Sequence, residues 1–289
     1  MQLVTSMWKR PRATFIGTAP VLACRPSYLS PLAWLGLQAA ALWPHGAWMA
    51  RRVQDGSDEP LGLAALALLL MLLVVRSPTL RIAPHTGWLA ASALLTLAAN
   101  AALLAAPPLL CALIGALALA AALMAWLPAR GPRAPLAGLV VLALPLISSL
   151  QYYGGYPLRV LTAQLSAWAL QFAGIAAERA GTSMLVRGQL VIVDAPCSGV
   201  QMVWMAYFCA CAVAALTVLR DGDFLKRLPA IGALVLVGNV LRNSLLVALE
   251  SRPQGLDADI HQAIGLVVLA MVCAAVAVTM KGARHDNLA

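Results

Sequence analysis

Long uninterrupted apolar runs decide what this chain can fold into. Several of them approach or pass about 18 residues, the length at which an apolar stretch predicts a membrane-spanning helix. Of the 289 residues, 62% are hydrophobic and 11% are charged. Soluble domains average about 45–50% apolar and about 25% charged residues. The sequence therefore predicts an integral membrane protein.

Eight apolar segments predict eight transmembrane helices. They cover roughly residues 31–50, 60–75, 87–106, 108–127, 135–150, 198–219, 228–249 and 260–280. The second and fifth are short for about 30 Å of hydrocarbon, and only Pro107 separates the third from the fourth. We expect an all-α fold, a polytopic membrane helical bundle.

A segment outside the bilayer is predicted between the fifth and sixth helices. Over residues 158–180 apolar residues recur at steps of three and four, which predicts an amphipathic helix. The stretch SMLVRGQLVIV follows, and its Arg187-Gly188 pair between two short apolar runs predicts a β-hairpin. The predicted order is a cytoplasmic tail (1–30), helices one to five (31–150), this segment (151–197), helices six to eight (198–280) and a second tail (281–289).

The basic residues predict the orientation of the chain in the membrane. With eight helices, 13 of the 20 Lys and Arg fall in loops on one side and six on the other. Cytoplasmic loops carry the excess of Lys and Arg, so both termini are predicted to be cytoplasmic, and residues 151–197 and 250–259 to face outward. The charges are scattered in short loops, which favours contact with membrane lipid and argues against nucleic acid as a partner, despite the net charge of +9.

Three reactive residues are predicted to meet near the outer membrane surface. Cys197 precedes the sixth apolar segment, and His261 lies in the first turn of the eighth. Arg242 lies about seven residues below the outer end of the seventh, which is about 10 Å at 1.5 Å per residue. A thiol, a fixed cation and an imidazole at one depth suit acyl transfer by a cysteine nucleophile.

Each of the three residues also has a structural interpretation. Cys197 is compatible with a small residue at the start of a helix, although the helix dipole there favours a thiolate, and Asp194 or Ser198 could cap that helix. His261 is compatible with an interfacial histidine near Asp257 and Asp259, either of which could cap the helix or orient the imidazole.

Arg242 is the hardest of the three to explain structurally. Inserting an arginine into a span costs at least about 2.5–3.5 kcal/mol, although the side chain can reach toward the interface. Asn239 lies one helical turn before Arg242 and is predicted to share its face of the helix, and Asn243 adds another polar group. The cluster favours a polar site, where Arg242 stabilises an oxyanion or binds a carboxylate.

The six cysteines predict neither a metal site nor a cofactor. They are Cys24, Cys111, Cys197, Cys209, Cys211 and Cys273. Neither a CxxC pair nor a Cys/His metal-binding spacing occurs among them. A thiol oxidoreductase that pairs Cys197 with Cys209 or Cys211 is disfavoured, because helical geometry separates them by about 18 and 21 Å.

The motifs around the three reactive residues resemble those of the exosortase/archaeosortase superfamily. They read Cys197-Ser198-Gly199, Asn239-Val240-Leu241-Arg242 and His261-Gln262-Ala263-Ile264-Gly265. The family pattern has the same three motifs in the same order across its last three spans. Pro196, before the cysteine, stands where alanine is more usual, which leaves the subfamily open.

The resemblance implies a membrane cysteine transpeptidase with Cys197, Arg242 and His261 as catalytic residues. It implies exported protein substrates with a C-terminal recognition motif, a transmembrane helix and a basic tail. It also implies a multi-pass protein of the inner (plasma) membrane with a periplasmic active site. The alternative is a transporter or channel with an anion site at Arg242 and Asn239, which would leave the Cys-Ser-Gly motif unexplained.

Overall fold

A computed structural model describes residues 30–129, 131–192, 198–250 and 257–281. Ten α-helices lie within these ranges. They are α1 Pro31–Ala41, α2 Trp43–Gln54, α3 Leu61–Arg76, α4 Thr86–Ala102, α5 Pro108–Trp126, α6 Arg133–Leu142, α7 Ile147–Phe172, α8 Val200–Leu216, α9 Asp221–Glu250 and α10 Ala258–Met280. A 3₁₀ turn, Ser77–Thr79, extends α3, and three short strands are β1 Ala177–Ala180, β2 Ser183–Val186 and β3 Gln189–Ile192.

The all-α membrane bundle is confirmed, but the number of spans differs from the predicted eight. Among the described residues, four helices are long and apolar enough to cross a membrane: Leu61–Thr79, Pro108–Trp126, Asp221–Glu250 and Asp259–Met280. A bent pair, α6 with α7, brings the number to five if it counts as one span. The two helices α4 and α8 have 17 residues each, about 25 Å at 1.5 Å per residue, which is short of about 30 Å of hydrocarbon. A turn after Ala41 divides the first predicted segment into α1 and α2.

The core of the bundle lies around α5, which is rich in small residues. Twelve of its 19 residues are buried, and small side chains allow neighbouring helix backbones to approach closely. The largest fully buried side chain is Trp204 of α8. Its indole Nε1 donates a hydrogen bond to the carbonyl of Leu142 at the end of α6 (3.3 Å), and its ring stacks on Phe208 at 5.2 Å. This core fixes α8 against α6.

A break at Pro145 changes the course of the chain before α7. The helices α6 and α7 meet at 94°, because proline lacks the N–H that a continuous helix needs and disfavours a helical residue before it. The amphipathic helix is present, but it runs over Ile147–Phe172 rather than the predicted 158–180. It ends near Gly174, whose φ of +78° suits glycine.

The predicted hairpin is confirmed, and it belongs to a three-stranded antiparallel sheet in the order β1-β2-β3. Both residues of its turn, Arg187 and Gly188, have positive φ (51° and 80°), as tight hairpins with two-residue loops require. The strand β1 occupies the last residues of the segment 158–180, which the apolar periodicity predicted to be helical. Met184 and Val186 are buried in a small cluster with Ala167 of α7 and Val247 of α9, so the sheet packs beside the helix that carries Arg242.

Three of the basic side chains that were predicted to be cytoplasmic bind the C-terminal ends of helices at one end of the bundle. Arg76 donates to the carbonyl of Ala215 at the end of α8, and Arg227 donates to the carbonyl of Thr279 at the end of α10 (2.7 Å). Arg133 donates to the carbonyl of Leu127 after α5 (3.2 Å). Cations stabilise the C-terminal ends of helices, where carbonyl groups lack helical partners. The opposite end of the bundle therefore holds the starts of α8 and α10.

Candidate active site

The loop between α2 and α3, residues 55–60, contains Asp55, Asp58 and Glu59 and is called the acidic loop below. It is fixed at the end of the bundle opposite Arg76, Arg133 and Arg227. The carboxylate of Asp58 is buried and lies 3.5 Å from Nη2 of Arg52. It also accepts hydrogen bonds from the backbone N–H groups of Glu59 (2.9 Å) and Ser148 (3.3 Å). Ser148 lies in the first turn of α7, where unpaired N–H groups and the helix dipole favour an acceptor. Asp58 therefore ties the start of α3 to the start of α7.

The outer part of the same loop is a compact turn. Ser57 donates to Oδ1 of Asp55 from its hydroxyl (2.5 Å) and from its backbone N–H (2.9 Å). The side-chain hydrogen bond from Ser57 is the main reason that the pKa of Asp55 lies below its usual range. The hydroxyl of Ser148 donates in turn to the carbonyl of Ser57 (2.7 Å). These bonds order the residues that lead into Glu59.

The start of α8 is built from Ser198 and Gly199, the residues that follow Cys197. The hydroxyl of Ser198 donates to Oε1 of Gln151 on α7 (2.7 Å), and the N–H of Val200 donates to the hydroxyl of Ser198 (3.4 Å). Gly199 has a φ of +83°, a conformation that residues with a side chain rarely adopt. A Cβ at Gly199 would lie 2.8 Å from Cγ of Asn239. The Cys-Ser-Gly motif therefore meets the Asn-x-x-Arg motif directly.

Two buried amides of α9 face α7. Asn239 donates to the hydroxyl of Thr162 (3.0 Å), and Asn243 donates to the hydroxyl of Ser166 (3.1 Å). Both pairs are spaced by four residues on their helices, so two successive turns of α9 are joined to two successive turns of α7. A buried polar group is costly without a partner, so these pairs hold the two helices in one register.

Arg242 points toward α10, where Gly265 makes room for its guanidinium. A Cβ at Gly265 would lie 3.2 Å from Nε and 3.5 Å from Cζ of Arg242. Gly265 is the last residue of the His-x-x-x-Gly motif and lies one helical turn below His261. The glycine of this motif therefore lets the arginine of α9 lie close to the helix that carries the histidine.

Arg242 and His261 line the same cavity, which has a volume of about 480 Å³. The polar groups on its walls come from four helix regions: Glu59 before α3, Gln201 in α8, Arg242 in α9, and His261 with Gln262 in α10. Apolar side chains complete the wall, among them Met202, Met205, Leu266 and Leu269. The side-chain amide of Gln201 donates to Oε1 of Glu59. The cavity thus holds a carboxylate, a guanidinium and an imidazole between apolar walls.

The structure brings together several of the residues that the sequence singled out. Arg242 and His261 share the cavity, and Ser198 lies at the start of α8, whose next residues Gln201 and Met202 line it. Asn239 and Asn243 contact α7 instead of lining the cavity with Arg242. The remaining two, Cys197 and Asp194, lie outside the described residues. The helix α8 begins at Val200, two residues later than the predicted segment.

The start of α10 tests one of the two capping residues that the sequence offered. Asp257 occupies the position before the helix, but its side chain makes no capping hydrogen bond. Its backbone carbonyl accepts the N–H of His261 (3.0 Å). Within the residues that the structure describes, no group of three or more His, Cys, Asp or Glu side chains is arranged to hold a metal ion.

Sequence reasoning missed Glu59, Gln201 and the hydroxyls of Thr162 and Ser166. The two hydroxyls carry a detectable signal, because their spacing of four matches that of Asn239 and Asn243. Glu59 is one of few acids in the chain and immediately precedes an apolar segment. Its role in the cavity depends on the contact of Asp58 with α7, some 90 residues later, which a single sequence does not reveal.

Comparison with known families identifies the kind of protein to which this cavity belongs. The model of the transmembrane exosortase family (Exosortase_EpsH) matches residues 48–278, about four-fifths of the chain. The chain belongs to the transmembrane exosortase family. Exosortases are membrane cysteine transpeptidases that process the sorting signals of exported proteins. No curated protein and no solved structure matches the chain closely enough to be compared with it.

The exosortase match begins within α2 and ends within α10. It therefore includes the acidic loop, the Ser198-Gly199 start of α8, and all the described residues of the cavity. It also covers residues 193–197, so that Cys197 lies inside the matched region. All three motifs that suggested the family thus lie within the matched segment. Two of them contribute residues to the cavity, which also lies within it.

Gly199→Ala is expected to destabilise this exosortase and to reduce its activity. The variant forces a side chain into a positive φ, which costs about 1–2 kcal/mol, and adds a clash with the buried amide of Asn239. Gly181→Ala is the matched control, because Gly181 also has a positive φ (66°) but has no atom within 4 Å of its added Cβ. Thermal unfolding in detergent measures the loss of stability in the two variants. Equal losses for the two variants would show that the contact with Asn239 does not matter.

Proposed function

We propose that this chain is an intramembrane cysteine protease or transpeptidase that cleaves C-terminal sorting signals through a thioester acyl-enzyme. The observation that carries the proposal is the cavity that Arg242 and His261 share, beside the start of α8, which directly follows Cys197-Ser198-Gly199. The family match supports the general activity. The roles of the individual residues are inferred from their chemistry.

In the proposed first half-reaction, the thiolate of Cys197 attacks the carbonyl carbon of the scissile peptide bond. The guanidinium of Arg242 stabilises the negative charge that develops on the carbonyl oxygen, because a fixed cation between apolar walls needs little reorganisation. His261 then gives its proton to the leaving amine, the C–N bond breaks, and the acyl group stays on Cys197 as a thioester. An amine or water resolves the thioester in the second half-reaction.

Four further residues have supporting roles in this proposal. Ser198 and Asn239 hold the segment after the nucleophile, through Gln151 and the close contact at Gly199. Asn243 fixes the register of α9 through Ser166, and thus the height of Arg242. Asp194, three residues before the nucleophile, is proposed to cap or orient the segment that carries Cys197.

The proposed substrate is an exported protein with a short C-terminal motif, a transmembrane helix and a basic tail. Its helix would lie in the lipid beside α8, α9 and α10, with the motif at the cavity. The proposed site is on the extracytoplasmic, periplasmic side of the inner membrane. The excess of Lys and Arg in the opposite loops supports this orientation. Three of these residues, Arg76, Arg133 and Arg227, each bind the end of a helix at the other end of the bundle.

Trapping of the thioester tests both the chemistry and the orientation. Spheroplasts that express the chain and a substrate are quenched rapidly with acid, and the peptide that contains Cys197 is analysed by mass spectrometry. We expect an acyl adduct that neutral hydroxylamine removes. Pre-treatment with a membrane-impermeant maleimide is expected to prevent the adduct, because the thiol faces outward.

The outcomes of the trapping experiment separate the two proposals. Cleaved substrate without an adduct on Cys197 would contradict the thioester mechanism. An adduct that forms equally well after the impermeant maleimide would contradict the outward-facing site and leave the chemistry in place.

A further inference from the structure

Glu59 is a carboxylate that the proposed mechanism does not use, although it lines the cavity of Arg242 and His261. Its position is built into the fold. Asp58, the preceding residue, is buried and bound to Arg52 and to the backbone of Ser148. The neutral amide of Gln201 donates to Oε1 of Glu59. The loop and α8 together therefore hold this carboxylate at the wall of the cavity.

The charges in the cavity suit a ligand with a positive group at the wall formed by Glu59. Among the described residues, the ion pair that the structure shows is Arg52–Asp58, and the partner of Glu59 is an uncharged amide. An amide orients a carboxylate without neutralising it. Glu59 is half-buried, so a ligand in the cavity can reach its carboxylate, and a cation there is attracted by a charge that the amide leaves in place.

Glu59 also lines a second cavity, of about 420 Å³, between α2, α3 and the α6–α7 bend. The other walls of this cavity are mainly apolar, and include Met49, Val53, Leu63 and Pro145. Glu59 therefore faces both cavities. The second cavity therefore gives Glu59 a face that is directed away from Arg242 and His261.

We propose that Glu59 binds the ammonium group of the amine that resolves the acyl-enzyme. The inference rests on the proposed function, since it concerns the second half-reaction. A primary amine is an ammonium ion at neutral pH, because its pKa is about 10. An anion at the cavity wall would concentrate this ion and orient its nitrogen toward the thioester, which favours aminolysis over hydrolysis.

The proposed step conserves protons and bonds. The ammonium bound at Glu59 loses one proton to water. Its nitrogen then forms a C–N bond to the acyl carbon as the C–S bond breaks and Cys197 leaves as a thiolate. The second proton passes to His261, which the first half-reaction leaves neutral. The product is an amide, and the thiolate and imidazolium of the resting site are restored.

The test compares two nucleophiles that differ in charge at neutral pH. Purified full-length chain in nanodiscs is acylated with p-nitrophenyl acetate, and the reading for Cys197→Ala is subtracted. The acyl group is then transferred to ethanolamine, which is an ammonium ion at this pH, or to hydroxylamine, which is largely uncharged. The ratio of the two products is independent of how fast each variant is acylated.

Glu59→Gln is expected to lower the ratio of ethanolamine product to hydroxylamine product by about tenfold or more, as the loss of a hydrogen bond to a charged group predicts. The variant keeps the shape of the side chain and an oxygen to accept from Gln201. Glu59→Asp, which keeps the charge, is expected to retain part of the preference. Glu178→Gln removes an exposed acid on β1 and serves as the matched control.

The outcomes distinguish this inference from the function on which it rests. An unchanged ratio in Glu59→Gln would overturn the acceptor site while the acyl-enzyme remained supported. If both products fell equally, the ratio would again be unchanged, and Glu59 would have a structural role instead of binding the amine. A wild-type chain that transfers no acyl group to either nucleophile would overturn the proposed function, and this inference with it.

Discussion

Replacing Cys197 with alanine is expected to abolish the processing of a sorting signal. The reaction divides into two steps only through a covalent thioester, and alanine has no atom that can form it. Removal of a catalytic nucleophile lowers the rate by about 10⁴-fold or more in comparable enzymes. At that rate, cells would accumulate full-length substrate and no cleaved product.

The matched control for Cys197→Ala is Cys209→Ala. Cys209 lies on α8, one turn beyond Met205, and its Sγ lies 3.6 Å from the carbonyl oxygen of Cys273. It is a half-buried residue of the helix packing, so its replacement is expected to preserve processing. The measurement is the ratio of full-length to cleaved substrate in membranes, for a coexpressed exported protein that ends in a short motif, an apolar span and an arginine cluster. Cleavage that continues in Cys197→Ala would remove the nucleophile assignment.

The common position of Arg242 and His261 was predictable because it depends on features that are local in the sequence. Apolar length gives the course of each span, and the distribution of Lys and Arg gives its direction. These two features predict that the last residue of one motif and the first residue of another lie at the same end of the bundle. Arg242 and His261 do line one cavity, although the number of long spans among the described residues is smaller than eight; their depth in the membrane stays a prediction.

The surroundings of these residues were not predictable, because they depend on which helices pack together. Asn239 and Arg242 are three residues apart, about 300° around a helix with 3.6 residues per turn, so they diverge by about 60°. That divergence directs the amide to α7 and the guanidinium to α10. The sequence does not show that α7 packs against this face of α9, because the position of α7 depends on the bend of the chain at Pro145.

The position of Glu59 has a similar origin. The contacts of Asp58 with Ser148 and of Glu59 with Gln201 join residues that are 90 and 142 positions apart. Neither contact leaves a periodic pattern in the sequence. The sequence of the acidic loop therefore resembles an ordinary polar connection between two spans. The packing of α3, α7 and α8 brings the loop to the cavity.

Arg242→Ala is expected to reduce formation of the thioester by about 10²–10³-fold, the usual loss when one group that stabilises an oxyanion is removed. Arg242→Lys is expected to recover little of this loss. The planar guanidinium fits against Gly265, where a Cβ would lie 3.2 Å from its Nε. An ammonium keeps the charge but not the fixed, forked set of donors.

The measurement for Arg242 separates stabilisation of the transition state from binding of the substrate. Substrate capture is followed by crosslinking in membranes, and thioester formation by acid quench. Arg179→Ala, which removes an exposed arginine of β1, is the matched control. If Arg242 stabilises the oxyanion, both Arg242 variants capture substrate as the wild type does but form little thioester, because the interaction exists only after the thiolate attacks. Loss of crosslinking in parallel with the thioester would instead assign Arg242 to docking, since binding energy that is lost before the reaction lowers both signals together.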